Sequence, residues 1–278
     1  MKKLEKEPLN RHTTFKIGGS AEVLSIPENK EELIEEIKYC RNNNISYKIL
    51  GNGSNILVKD EGVKGTVIKN KKALNYLEVE GNTVIAGSSV MLPKFVDFCV
   101  ENNLEGMEYL YSIPGTIGGA VYMNAGRGRK YNLAISDRIE EVKVYDGEDI
   151  FVLKRDEIDF DYRWSIFHDH EDWIILEVKF KLEEQDIEIG KEKIEKRMKH
   201  VNKVQKRNNP NVGSIYKKSN GKILRLLRGI KFGGAKLEGN WISNVDNASS
   251  KDVLRLIKVV NFFHHILFRD FELEIEVW

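Results

Sequence analysis

Eighteen consecutive residues, Tyr109–Gly126, carry no formal charge. The stretch comes close to the ~20 apolar residues that a membrane-spanning helix needs. It is interrupted, however, by Pro114, Gly115, Gly118, Gly119 and Gly126, and lipid would leave the peptide groups of so broken a backbone without partners. The stretch therefore belongs to a folded interior, and its centre, Ile113-Pro114-Gly115-Thr116-Ile117-Gly118-Gly119-Ala120, reads as a glycine-rich loop. A second such loop is Gly51-Asn52-Gly53-Ser54-Asn55. Successive N–H groups with no Cβ in the way can converge on phosphate oxygens, and Ser54, Asn55 and Thr116 add side-chain donors. Neither loop has the spacing of a Rossmann fingerprint or a Walker loop. Any phosphate ligand is held in another fold, and each loop taken singly reads first as a tight turn.

Strand and helix signals alternate at first: a strand over Ala21–Pro27, a helix over Asn29–Asn43 with Leu33, Ile37 and Cys40 on one face, then strands at Tyr47–Leu50 and Ile56–Val58. Beyond Asn70 the pattern turns to hairpins. Leu74–Glu80 and Thr83–Gly87 are joined by Gly81-Asn82, and Arg138–Tyr145 and Asp149–Leu153 by Asp146-Gly147, with a further strand over Trp173–Leu182. The last hundred residues read as a basic helix (Lys191–Arg207), a short strand (Asn211–Tyr216) and a helix (Lys222–Gly229). A capping box, Ser249-Ser250-Lys251-Asp252, opens a long helix, and Phe271–Trp278 alternates strictly with three glutamates on one face. The fold class expected is α+β. A length of 278 residues suits two or three packed units.

Net charge is +1, but it is segregated: residues 186–236 hold fifteen Lys and Arg against four acids. Such a segment suits an anionic ligand, although by itself the helix Lys191–Arg207 reads first as a solvated face. A nucleic-acid binder would interleave aromatic residues with the basic ones, and residues 186–211 contain none, so nucleic acid is not expected as a partner. Met1–Pro8 lacks the apolar run of a signal peptide, and no membrane insertion is expected. Cys40 and Cys99 form no spaced pair and read as buried, reduced thiols of a cytoplasmic protein. The six histidines show no metal-ligand spacing, His168 and His170 could share one strand face, and no metal is expected. No Gly-x-Ser-x-Gly elbow is present, so a serine hydrolase is not expected. From local sequence alone Arg163 could pair with the acids at 156–161, Ser214 is a serine on a strand, and Glu276 is a solvent-facing strand residue. No reaction follows from these residues by themselves.

Taken in order, however, the motifs resemble the UDP-N-acetylenolpyruvoylglucosamine reductase family, in its compact subtype. The motifs are Thr14-Phe15-Lys16-Ile17-Gly18-Gly19-Ser20-Ala21, the Leu50–Asn55 loop, the Ile113–Ala120 loop with Asn124-Ala125-Gly126, Tyr162-Arg163-Trp164-Ser165, Pro210-Asn211-Val212-Gly213-Ser214 and Leu273-Glu274-Ile275-Glu276-Val277. The resemblance implies two α/β subdomains of a PCMH-type FAD-binding fold (1–70 and 71–185) and a C-terminal α+β substrate-binding domain (186–278).

The implied activity is NADPH-dependent, FAD-mediated reduction of UDP-N-acetylglucosamine enolpyruvate to UDP-N-acetylmuramate, in bacterial peptidoglycan precursor synthesis. FAD contacts are implied for Gly51, Asn52, Gly53, Ser54, Asn55, Gly87, Ser88, Pro114, Gly115, Thr116, Gly118, Gly119, Ala120, Asn124 and Gly126. Substrate contacts are implied for Tyr162, Lys217 and Asn240. Ser214 is implied as proton donor, and Arg163 and Glu276 as the groups that stabilise the enol intermediate and its carboxylate. The basic segment would meet the UDP diphosphate. The substrate half departs from the family pattern: Ile215-Tyr216-Lys217-Lys218 follows Ser214 in place of the usual Phe-Lys-Asn-Pro, and no histidine precedes Asn240-Trp241-Ile242. The alternatives are accordingly a related FAD oxidoreductase acting on a different nucleotide sugar, or a flavin-binding protein without turnover.

Overall fold

The computed structural model describes residues 1–204 and 209–278, which fall into two compact units. The first comprises Met1–Lys2, Ser25–Gly51 and Ile68–Gln205; the second comprises Lys3–Leu24, Asn52–Val67 and Lys206–Trp278.

The first unit is built on an antiparallel sheet of five strands in the order Ile150–Lys154, Ile139–Tyr145, Ile174–Lys181, Thr83–Gly87, Leu77–Glu80. Both expected hairpins form. Glu80 pairs with Thr83 across Gly81-Asn82, whereas the second turn takes four residues because Asp146 Oδ1 accepts from the N–H of both Glu148 and Asp149. Helix Leu92–Glu101 packs on the sheet, with the Phe95 ring 4.8 Å from that of Phe180. Helix Lys30–Asn42 is capped by Asn29, which accepts from Glu32 N–H at 2.9 Å. It buries Leu33 and Ile37 with Ile68, Tyr145 and Leu176. Cys40 and Cys99 are buried free thiols.

The basic helix runs over Ile187–Val204, four residues earlier than its sequence suggested at the start; Arg207 lies outside the described residues. Its lysines pair along the helix, Lys191 with Glu188, Lys196 with Glu192 and Lys199 with Glu195. This part of the basic segment is a solvated face with weak surface pairs.

In the second unit Phe15, Leu57, Ile215, Leu256, Val260 and Ile275 share one core. The capping box forms: Ser249 Oγ accepts from Asp252 N–H at 3.1 Å and Asp252 Oδ2 from Ser249 N–H at 3.0 Å, opening helix Ser250–Ile266.

Three local expectations are corrected. Asn211–Ile215 is a turn, with Asn211 Oδ1 accepting from Gly213 N–H, and only Tyr216–Lys218 is a strand. The alternating tail is not one strand. Glu272–Leu273 pairs antiparallel with Tyr216–Lys218, and Glu276–Val277 parallel with Ile56–Leu57, so the chain changes partner around the buried Ile275. His168 ends a short 3-10 turn and stacks on Tyr122 at 4.0 Å, while His170 stacks on Trp173 at 3.9 Å; they share no strand face.

Lys69 is buried in the first unit, and desolvation together with Lys71 pushes its ammonium down to about 8 from 10.5. The unfolded chain therefore binds the extra proton between those values, and stability rises with pH through that window. Urea unfolding at both ends of the window is expected to show this rise, and Lys69→Met to flatten it.

Candidate active site

In the first unit Gly51 meets the second glycine-rich loop at Thr116. A Cβ on Gly51 would stand 2.7 Å from Thr116 Oγ1, closer than a carbon and a hydroxyl can approach. Thr116 is buried, and its Oγ1 accepts from Gly119 N–H as the cap of the turn Ile117–Tyr122. The 113–120 loop is itself bound to the segment after Gly87: Gly118 N–H donates to Ser88 O (2.9 Å), Ile117 N–H to Val90 O (2.8 Å), and Leu92 N–H to Gly115 O (3.0 Å). The N–H groups of Ile117, Gly118 and Gly119 thus serve the loop's own shape. By contrast, among the described residues the N–H groups of Gly51, Gly53 and Ser54 have no acceptor.

Beneath Ser88 lies a residue that sequence reading missed. The carboxamide of buried Asn70 donates to Ser88 Oγ (3.0 Å) and accepts from Ser89 Oγ (2.6 Å), and Ser89 Oγ accepts from Leu74 N–H. All three polar side chains are satisfied by one another or by backbone, so the segment that holds the 113–120 loop has one arrangement. The only sequence signal was a polar run, Ser88-Ser89, at the end of a strand.

Arg163 is joined to the Asn124-Ala125-Gly126 motif. It stands at φ +58, and its Nη1 and Nη2 donate to Asn124 O (3.1 Å) and Gly126 O (2.7 Å). Asn124 is buried and donates to Asp161 O at 2.9 Å, which ties the same loop to the turn bearing Arg163. Tyr162 lies between two guanidinium groups, 4.7 Å from Arg163 and 4.4 Å from Arg129. Tyr109 donates to Ala134 O (2.7 Å), and burial pushes its phenol well up, so it stays a donor.

In the second unit Thr14 binds two motifs together: its N–H donates to Gly53 O (3.1 Å) and its Oγ1 to Asn211 O (2.9 Å). Gly53, at φ +63, leaves no room for a Cβ beside Thr13, whose buried Oγ1 has no partner among the described residues. The tail is held to the end of the 51–55 loop by Glu276 N–H to Asn55 O (3.0 Å) and Asn55 Nδ2 to Glu274 O (2.8 Å). Ser214 is exposed on its turn. Asn240 fixes the residues after it, accepting from Tyr216 N–H and donating to Tyr216 O. Lys217 pairs with Glu272 at 2.6 Å, and Glu276 Oε2 accepts from the Trp278 indole at 3.3 Å.

Residues 21–150 match the family model of an FAD binding domain. The chain is 38% identical over 264 residues to the UDP-N-acetylenolpyruvoylglucosamine reductase of Clostridium botulinum strain Hall, covering 91% of this chain and 85% of that one. The identity is also 38% with the enzyme of Caldanaerobacter subterraneus, covering 91% and 86%. The crystal structure of UDP-N-acetylenolpyruvylglucosamine reductase (MurB) from Thermus caldophilus superposes with a TM-score of 0.82 at 33% identity, over 100% of this chain and 98% of the other. The chain belongs to the UDP-N-acetylenolpyruvoylglucosamine reductase family. Its fold is the PCMH-type FAD-binding fold found in that family.

Each unit offers features that fit the cofactor of the reductase family: in the first, a close approach of Gly51 to Thr116 that only glycine allows; in the second, the N–H groups of Gly53 and Ser54 without acceptors and the Thr13 hydroxyl without a partner among the described residues. Asn70→Ala strands Ser88 and Ser89 without their partners, a loss of about 1–3 kcal/mol for each buried group left unsatisfied. It is expected to lower the denaturation midpoint and to weaken FAD retention, measured by fluorescence titration. Gly51→Ala is expected to weaken FAD at least about tenfold, a little over one kcal/mol, with a smaller effect on apo stability.

Proposed function

We propose that the chain reduces UDP-N-acetylglucosamine enolpyruvate to UDP-N-acetylmuramate with NADPH and FAD, as a cytoplasmic enzyme of peptidoglycan precursor synthesis. The observation that carries this reading is the pairing of the two glycine-rich loops at Gly51 and Thr116, supported by family membership. Residues 1–70 and 71–185 serve the flavin and 186–278 the nucleotide sugar.

Gly51–Asn55, Gly87, Ser88, Pro114–Thr116, Gly118–Ala120, Asn124 and Gly126 form the cofactor contacts. FAD held by these residues would supply the hydride, drawn from NADPH, that C3 of the enolpyruvyl group receives. Hydride addition at C3 places negative charge on C2 and the adjacent carboxylate. Arg163 is suited to oppose that charge, because two carbonyls fix the plane of its guanidinium before the substrate arrives. Glu276 acts at the same carboxylate and C2 region. Ser214 delivers the proton to C2; its exposed hydroxyl lies on a turn that Asn211 and Asn240 hold from either side. A serine hydroxyl is a weak acid, and Lys217, three residues on, supplies a cation whose place is set by Glu272. Tyr162, Lys217 and Asn240 orient the substrate, Asn240 through the backbone it binds.

Ser214→Ala is expected to leave flavin reduction by NADPH unchanged and to slow flavin reoxidation by substrate about a thousandfold. Reoxidation at the wild-type rate would remove Ser214 from the proton step. Arg163→Lys keeps a charge but loses the two-point anchor, and is expected to cost about 10²–10³ in the same half-reaction.

A further inference from the structure

Helix Ser250–Ile266 buries Val253, Leu256, Ile257 and Val260 in the core of its unit. Its other side exposes Arg255, Lys258, Phe262 and Ile266, spaced by three or four residues and therefore in one stripe. Between Ser250 and Arg269 the sole acid is Asp252, which is engaged in the capping box. Among the described residues neither Lys258 nor Arg269 has an ion-pair partner, and the next acid, Asp270, faces Lys218 at 2.9 Å. Beyond the last turn Leu267 is 49% exposed and Phe268 is 94% exposed, with Phe268 at φ +49. A bulky side chain in the left-handed region is strained, and a phenyl ring held in water forgoes burial. The backbone conformation closes the helix, with Phe268 N–H donating to His265 O (3.0 Å) and Arg269 N–H to His264 O (2.8 Å), but among the described residues nothing covers the Leu267 and Phe268 side chains.

We infer that this face binds the surface of an anionic lipid bilayer. Arg255, Lys258 and Arg269 meet the headgroups, and Phe262, Leu267 and Phe268 enter the boundary between headgroups and acyl chains. Lys258 and Arg269, which have no ion-pair partner among the described residues, together with Arg255, match a negative surface potential, and aromatic side chains beside them match the apolar layer below it. A fluid boundary receives separate protruding rings without a matching surface, whereas a protein partner would have to supply a pocket for each. Among the described residues no helix is long and apolar enough to cross a membrane, so the association is peripheral.

The test is co-sedimentation of the full, FAD-loaded chain with vesicles of phosphatidylcholine containing about one-third phosphatidylglycerol, against phosphatidylcholine alone. Binding to the anionic vesicles is expected at least about tenfold above the neutral ones, and to weaken as salt is raised. Phe262→Ser with Phe268→Ser is expected to lower binding about tenfold. Arg255→Gln with Lys258→Gln is expected to lower it similarly and to flatten the salt dependence. Reductase turnover is expected to be unchanged in both pairs. Absence of vesicle binding, equal binding to both compositions, or wild-type binding by the phenylalanine pair overturns the proposal. So does a concentration-dependent dimer that the phenylalanine pair dissolves without any vesicle binding, since the face would then belong to a second copy.

Discussion

A carbon atom at the side-chain position of residue 51 and the hydroxyl of Thr116 where it stands exclude each other, and much of the first unit follows from that contact. Thr116 cannot retreat, because it caps its own turn and because the loop around it is bound through Gly115, Ile117 and Gly118 to the segment 88–92. That segment in turn has no alternative arrangement while Asn70 bridges Ser88 and Ser89. Two loops rich in glycine, usually a sign of freedom, are therefore held by a buried polar lattice. Among the described residues the N–H groups of Gly51, Gly53 and Ser54 remain without acceptors, a contrast that shows only after the internal bonds of the other loop are counted.

The same logic appears at Arg163. Long cationic side chains lose rotamer freedom when they are held in one place, and here two backbone carbonyls have already removed much of it. The carbonyls belong to Asn124 and Gly126, and Asn124 binds the turn that carries Arg163, so the guanidinium and its anchor hold each other. In the second unit Thr14 has the corresponding part, joining Gly53 to Asn211 across 197 residues of sequence on one side.

Patterns confined to a few residues were legible in the sequence. The Gly81-Asn82 hairpin, the helix face of Leu33 and Ile37 and the Ser249–Asp252 box need only local chemistry, and each forms. The glycine motifs were visible too, and their order in the chain carried the family. What could not be read was the relation between motifs. The alternation of Phe271–Trp278 fits a single strand, but the chain changes partner around Ile275 because Tyr216–Lys218 and Ile56–Leu57 each offer only a short edge. Asn70 was invisible because its partners lie 18 and 19 residues away, and an isolated asparagine gives no hint of them. The basic helix misled in the other direction: composition counted its cations, while the i,i+4 acids that pair with them appear only when the helix is drawn.

In the proposed reaction the chain passes hydride from a nicotinamide through a flavin to an enolpyruvyl nucleotide sugar. Anaerobic stopped-flow absorbance tests it most directly: the FAD-loaded protein is reduced with NADPH and then mixed with UDP-N-acetylglucosamine enolpyruvate. Rapid return of the oxidised flavin spectrum, with formation of UDP-N-acetylmuramate, is the predicted result. Reduced flavin that persists in the presence of that substrate would show that the enolpyruvyl nucleotide sugar is not its acceptor.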